Sequence, residues 1–339
     1  MKACSRVLVV MMVLLGLVAP IWAQEVVVLS GPDDTIDWLK AENWWGEEKR
    51  GEQLQVPHMM ITGISERWQK NAANIPVPMK KEIFYRFILP LAMHANTMVL
   101  ERRERMKEMD AVLADEGELS AEDIAWLRDL AVMLRIAKRE KADQIAKPVE
   151  LRQVIDKALY KMDVIPAGMV LGQAAYESGY GTSRFAVKGN ALFGQWTYGG
   201  DGIVPEHQRK ELGDHRIASY EWPFDSVRGY YINLSSHPAY EEFRRLRAEL
   251  KAAGKPLSSM ELVQGLKSYS ERGQEYVDTL KGIIRVNHLD IADDAVFRNE
   301  PMRFIVVTAD KAAAAKMRKE IETMRKSGEI DTIIKRMRL

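Results

Sequence analysis

Ile165-Pro166-Ala167-Gly168-Met169-Val170-Leu171-Gly172-Gln173-Ala174-Ala175-Tyr176-Glu177-Ser178-Gly179-Tyr180-Gly181 is the stretch on which the reading of this chain turns. Pro166 suits the first turn of a helix, where its missing N–H would have had no partner. Val170, Ala174 and Glu177 follow at spacings of four and three, so they share one helix face. Gly179 and Gly181 then stop the helix. The pattern lodges a carboxyl group at the end of an apolar stripe. Partial burial and the negative end of the helix dipole both disfavour the anion there, so the pKa of Glu177 is expected to rise. A carboxyl group that keeps its proton near neutral pH is what a glycosidic general acid needs. The small residues around it leave room for a bulky polymer.

The next segment, Thr182-Ser183-Arg184-Phe185-Ala186-Val187-Lys188-Gly189-Asn190-Ala191-Leu192-Phe193-Gly194-Gln195-Trp196, is rich in glycine and aromatic residues. Aromatic faces stack on pyranose rings, and Asn or Gln amides bond ring hydroxyls and N-acetyl groups. The same composition also suits a loop whose aromatic residues simply pack.

Together these two segments resemble the glucosaminidase domain of glycoside hydrolase family 73, with its nearest likeness in the Bax-type subgroup of Gram-negative bacteria. Further blocks carry the resemblance: Phe224-Asp225-Ser226-Val227-Arg228-Gly229-Tyr230, Asn233-Leu234-Ser235-Ser236-His237-Pro238-Ala239-Tyr240, and Tyr269-Ser270-Glu271-Arg272-Gly273-Gln274-Glu275-Tyr276. Upstream, Lys80-Lys81-Glu82-Ile83-Phe84, Leu89-Pro90-Leu91 and Asn96 resemble the helical region that precedes the domain in that subgroup. The likeness spans roughly residues 55 to 290. It implies a mainly α (α+β) protein built on a lysozyme-like helical domain with a small β-lobe; apolar periodicity, and not the likeness, places a helical hairpin before that domain and a short strand-helix tail after it. The implied reaction is cleavage of the β-1,4 bond between N-acetylglucosamine and N-acetylmuramic acid in peptidoglycan, without metal or organic cofactor. Glu177 matches the family's catalytic acid, and Tyr269 an active-site aromatic residue. Tyr180, Asn190, Phe193, Gln195, Trp196, Tyr220 and Tyr276 are the candidate substrate-binding residues.

The second carboxylate is less legible. An inverting hydrolase needs a base about 6.5–9.5 Å from the acid, and a retaining one a nucleophile at about 5–5.5 Å. Where the Bax-type pattern leads one to expect His-Glu-Val, this sequence has His215-Arg216-Ile217. Glu206 is the first choice, with Glu211, Asp201 and Asp214 as alternatives. Substrate assistance by the sugar's N-acetyl group would need no protein base at all.

The flanks set the context. Residues 1–23 have a basic start (Lys2, Arg6), an apolar run from Val7 to Val18, and a small residue, Ala23, at a plausible cut. This is the layout of a secretory signal peptide, which sends the protein to the periplasm or cell envelope. The single cysteine, Cys4, lies inside that segment, so the mature chain would hold no disulfide. No later segment reads as long and apolar enough to span a bilayer. The formal net charge of +1 gives no nucleic-acid footprint. Composition divides the remainder into an N-terminal mixed and helical region (24–147), the catalytic domain (148–290) and a C-terminal tail (291–339). Phe84, Phe87, Ile88, Leu91 and Ala95 form a helical apolar stripe, and Ser120-Ala121-Glu122-Asp123 reads as a helix start. In the tail, Phe304-Ile305-Val306-Val307 reads as a strand, and Asp310 to Lys326 as an amphipathic helix closed by Gly328.

Overall fold

The computed structural model describes residues 26–46, 52–64, 66–197, 202–206 and 213–329. The signal-peptide segment 1–23 and two of the candidate carboxylates, Asp201 and Glu211, lie outside them. In chain order the elements are β1 (Val26–Leu29), α1 (Pro32–Ala41), β2 (Gln55–Val56), β3 (Met59–Ile61), α2 (Glu66–Ala72), α3 (Val77–Ala114), α4 (Ala121–Met133), α5 (Arg139–Ala142), α6 (Pro148–Lys161), α7 (Ala167–Ser178) and α8 (Arg184–Gly189). There follow β4 (Trp196–Thr197), β5 (Gly202–Ile203), β6 (Arg216–Ala218), α9 (Pro223–Ser236), α10 (Glu241–Ala252), α11 (Ser259–Leu262), α12 (Gln274–Val286), β7 (Val296–Phe297), β8 (Arg303–Val307) and α13 (Lys311–Ser327). The protein is mainly α, with small sheets.

The central element is α7, the helix read from the opening sequence. Every residue from Ala167 to Ala175 is buried, because helices surround it. It packs against α3, α12 and the turn at Leu289–Ala292. Gly168 makes the last contact possible, since a Cβ there would lie 2.3 Å from the Leu289 carbonyl oxygen. Asp293 ties this junction together. One of its carboxylate oxygens accepts from the Gly168 N–H at 3.0 Å, and the other from the Ser259 N–H at 2.7 Å. One carboxyl group thereby caps the starts of both α7 and α11.

α3 supplies the second wall. Its stripe residues Phe84, Phe87, Ile88, Leu91 and Ala95 are all buried, and the helix continues through Pro90. One correction to the sequence reading arises here. By length and composition α3 is apolar enough to cross a membrane, but 67% of its most apolar stretch is buried inside the protein, as befits a core helix. Trp44 anchors the N-terminal region to it, with Nε1 donating to the Arg86 carbonyl at 3.1 Å and the Arg86 guanidinium 4.4 Å from the ring centre.

α10 closes the opposite end with two buried arginines that serve as caps. Arg247 donates to the carbonyls of Tyr160, Lys161 and Asp163 at the end of α6, and Arg244 to those of Leu234 and His237 at the end of α9. Cations at helix C-termini match both the unpaired carbonyls and the dipole.

The ends of the described chain meet in one layer. β8 lies between β1 and β3 in an all-parallel sheet, with Val27 opposite Ile305 and Met60 opposite Phe304. Leu29, Phe304 and Ile305 face the main core, while Val28 packs under Ala314 and Ile321 of α13. Asp310 caps α13 by accepting from the Ala313 N–H at 2.8 Å. The third sheet, β4-β6-β5, is antiparallel and forms the small β-lobe after α8.

Candidate active site

Glu177 occupies the last turn of α7. The helix is ended by Gly179, in the left-handed region at φ 57°, followed by Tyr180 at 57° and Gly181 at 74°. A left-handed tyrosine costs about 1–2 kcal/mol, and local bonds offset it. The Tyr180 carbonyl accepts from Trp68 Nε1 at 2.9 Å, and the buried Ser178 hydroxyl accepts from the Gly181 N–H at 2.8 Å. Ser178 Oγ in turn donates to the Ala174 carbonyl, so this serine latches a turn. Tyr180 packs edge-on against Phe84 and Tyr85 of α3.

The carboxyl group of Glu177 is half-buried. Oε1 accepts from the Tyr276 hydroxyl at 2.7 Å. Oε2 has no hydrogen-bond partner among the described residues; it lies beside Gly194, where an added Cβ would come to 3.8 Å. Burial pushes the Glu177 pKa above the ordinary carboxyl value, and the Tyr276 hydrogen bond, which favours the anion, opposes that shift. Burial dominates. No described carboxylate contributes to the shift.

Behind Oε1 the polar groups form a chain. Tyr276 O accepts from Gln173 Nε2 at 2.9 Å, and Gln173 Oε1 accepts from the Tyr230 hydroxyl. Gln173 is fully buried, one helical turn before Glu177 on the same face. Burial raises the pKa of the Tyr276 and Tyr230 hydroxyls, so both keep their protons. Aromatic packing holds the chain in place: Tyr230 stacks on Phe193 at 4.2 Å, and Tyr276 lies parallel to Tyr269 at 5.7 Å.

The residues singled out by sequence occupy three settings. Glu177, Tyr276 and Tyr269 come together, and the tyrosine that touches the carboxyl group is Tyr276. Tyr269 sits alongside, its hydroxyl donating to the Phe193 carbonyl at 3.0 Å. Phe193 itself is buried in the core. Asn190 ends α8 in the left-handed region and spends its amide on backbone, accepting from the Ile64 N–H and donating to the carbonyls of Tyr220 and Glu221. Gln195 and Tyr220 bond one another at 2.6 Å. Trp196, on β4, is 46% exposed and lies 4.6 Å from the His215 ring. Glu206 follows β5: its side chain is 73% exposed and pairs with Arg184 Nε at 3.2 Å. Sequence reasoning overlooked Gln173 and Tyr230. A buried amide four residues before the acid was the available signal for Gln173, whereas nothing local marks Tyr230.

A partly buried carboxyl group with a raised pKa, at the end of α7 and beside Gly194, has the features of the acid in a glycoside-hydrolase-type site. A family model described as mannosyl-glycoprotein endo-beta-N-acetylglucosaminidase matches residues 153–289, which contain the whole constellation. The chain is also similar to Protein bax of Escherichia coli (strain K12), 30% identical over 213 residues, covering 63% of this chain and 72% of that protein. The protein belongs to this glucosaminidase family, as a Bax-type member. No solved structure gives a significant match.

Proposed function

We propose that the protein is an exported endo-β-N-acetylglucosaminidase that hydrolyses the β-1,4 bond between N-acetylglucosamine and N-acetylmuramic acid in peptidoglycan, with Glu177 as the general acid. The observation that carries this reading is the state of one carboxyl group. Burial holds the Glu177 pKa up, Tyr276 engages Oε1, and Oε2 is left without a partner among the described residues. Such a group donates its proton from Oε2 to the bridging oxygen as the glycosidic bond lengthens. The family description names the same class of bond, and the wall as the site of action rests on the Bax-type resemblance. Trp196 offers an exposed ring on which a sugar stacks. Glu177→Gln keeps the shape and removes the proton. The variant should lose at least ~100-fold in the rate of sacculus digestion, within the range of general-acid contributions. Wild-type digestion by that variant defeats the proposal.

A second reading draws on the described residues, which bring no second carboxylate to Glu177. Glu206 is engaged with Arg184, and no described carboxylate perturbs Glu177. A single-carboxylate reaction accommodates this, either by assistance from the N-acetyl group or by lytic transglycosylase chemistry. Mass spectrometry of digests separates the two outcomes: reducing N-acetylglucosamine ends support hydrolysis, and 1,6-anhydro ends support the lytic reaction.

A further inference from the structure

We propose that Gln173 is a positioning residue that decides which oxygen of Glu177 carries the acid proton, and that Tyr230 locks it in the productive orientation. The inference rests on Glu177 being the acid. It starts from the inventory of hydrogens. Tyr276 has one hydroxyl hydrogen, and the amide of Gln173 has a donor end and an acceptor end. In the structure the donor end, Nε2, faces Tyr276 at 2.9 Å, so the Tyr276 hydrogen is directed to Glu177 Oε1 at 2.7 Å. Because the carbonyl oxygen of a carboxylic acid is the better acceptor, this bond to Oε1 favours the proton on Oε2, beside Gly194.

Turning the amide over reverses the polarity. Gln173 Oε1 would accept from Tyr276, whose oxygen would then accept from Glu177 Oε1. The acid's proton would point into the protein wall and be lost to catalysis. Tyr230 opposes that state. Its hydroxyl donates to Gln173 Oε1 and has no other acceptor among the described residues, so a turned amide would strand a buried O–H. Gln173 is fully buried, which keeps bulk water from substituting for either partner. The stack of Tyr230 on Phe193 fixes the ring that carries the lock.

The test compares Tyr230→Phe, Gln173→Met and Tyr276→Phe in the full-length protein. Two measurements are made on each: the pH profile of kcat/KM on purified sacculi, and the Glu177 carboxyl titration by NMR of selectively labelled protein. The anion loses its hydrogen bond, or has it weakened, in all three variants. The Glu177 pKa therefore moves upward, and the high-pH limb of the profile moves with it. kcat should fall between about 5- and 100-fold, the range expected when a reacting group is misoriented, while KM changes less than about twofold. Tyr230→Phe is the decisive variant, because it retains the stack on Phe193 and makes no hydrogen bond to Glu177 in the wild type. The proposal is overturned if Tyr230→Phe titrates and turns over like wild type, or if all three variants lose activity with the Glu177 titration unmoved. Glu177→Gln separates the two ideas. An active Glu177→Gln protein defeats the acid assignment, whereas an inactive one beside an unshifted Tyr230→Phe defeats the relay alone.

Discussion

The helical wall beside Glu177 and the β-lobe that follows it are built on opposite principles. Behind Glu177 on the helical side, three polar groups form a connected chain: Tyr230, Gln173 and Tyr276 each meet a named partner. On the β-lobe the strands are two or three residues long, Trp196 is exposed, and the Glu206 carboxylate paired with Arg184 is largely open to solvent. A buried network tolerates no loose end, because an unpaired group there bears its full desolvation cost. Short exposed strands carry no such constraint. Under the proposed function the contrast implies a division of labour, in which the helical wall places the proton and the lobe adapts to the polymer.

Substitutions sharpen or break this contrast, and removal of the acid proton should have the largest effect. Beyond the loss of rate for Glu177→Gln, the wild-type profile has a defined sign. A general acid works only while protonated, so kcat/KM should fall as pH rises through the Glu177 pKa, which burial places above the usual carboxylate value. A high-pH limb at the ordinary carboxyl pKa would contradict the burial argument.

Next in size is the packing that sets the rigid wall. Gly168→Ala would drive a methyl group into the Leu289 carbonyl and should destabilise the protein by at least ~2 kcal/mol in chemical denaturation. Stability unchanged by this substitution would mean that the α7 junction is soft enough to yield to a methyl group.

On the lobe the effects should be modest. Trp196→Ala should raise KM for glycan strands several-fold, as loss of ~1 kcal/mol of ring contact does, with kcat held within about twofold. Glu206→Gln removes an exposed ion pair worth at most ~1 kcal/mol and should leave kcat near the wild-type value. A drop in kcat comparable to that of Glu177→Gln would make Glu206 a catalytic base and erase the division between the walls.

The smallest expected effect concerns stability. Glu177 binds its proton more tightly in the folded than in the unfolded chain. Its contribution is therefore favourable at low pH and is lost as pH rises through the raised native value. Glu177→Gln should melt at a higher temperature than wild type at pH 7 and at the same temperature near pH 4. An equal melting temperature at both would show that the buried charge carries no penalty.

How much of this was legible in the sequence depended on the range of the signal. The spacing of Val170, Ala174 and Glu177 with the glycine stop marks a helix that ends at Gly179, and α7 does end there, because periodicity and capping are local. The run of ordered blocks identified the family, since a resemblance integrates many local signals. The relay was not legible: its partners lie 57 and 103 residues from Gln173, and no periodicity links them. Asn190 illustrates a different limit. Asn is suited both to a sugar subsite and to a left-handed helix end, and only its three backbone partners reveal the second use. The strand Phe304–Val307 was visible as a strand, but its place between β1 and β3 depends on pairing across most of the chain.

That pairing has a consequence for biogenesis. β8 pairs in parallel with β1, and just beyond β8 the Thr308 hydroxyl donates to the Leu29 carbonyl, 279 positions away. Contacts of such long range form late, after the cost of closing the intervening loop has been met. A nascent chain released before β8 emerges would present β1 and β3 as open parallel edges, which invite aggregation. The order of synthesis thus makes the last described strand a completion signal: only a chain synthesised past Val307 can seal the sheet.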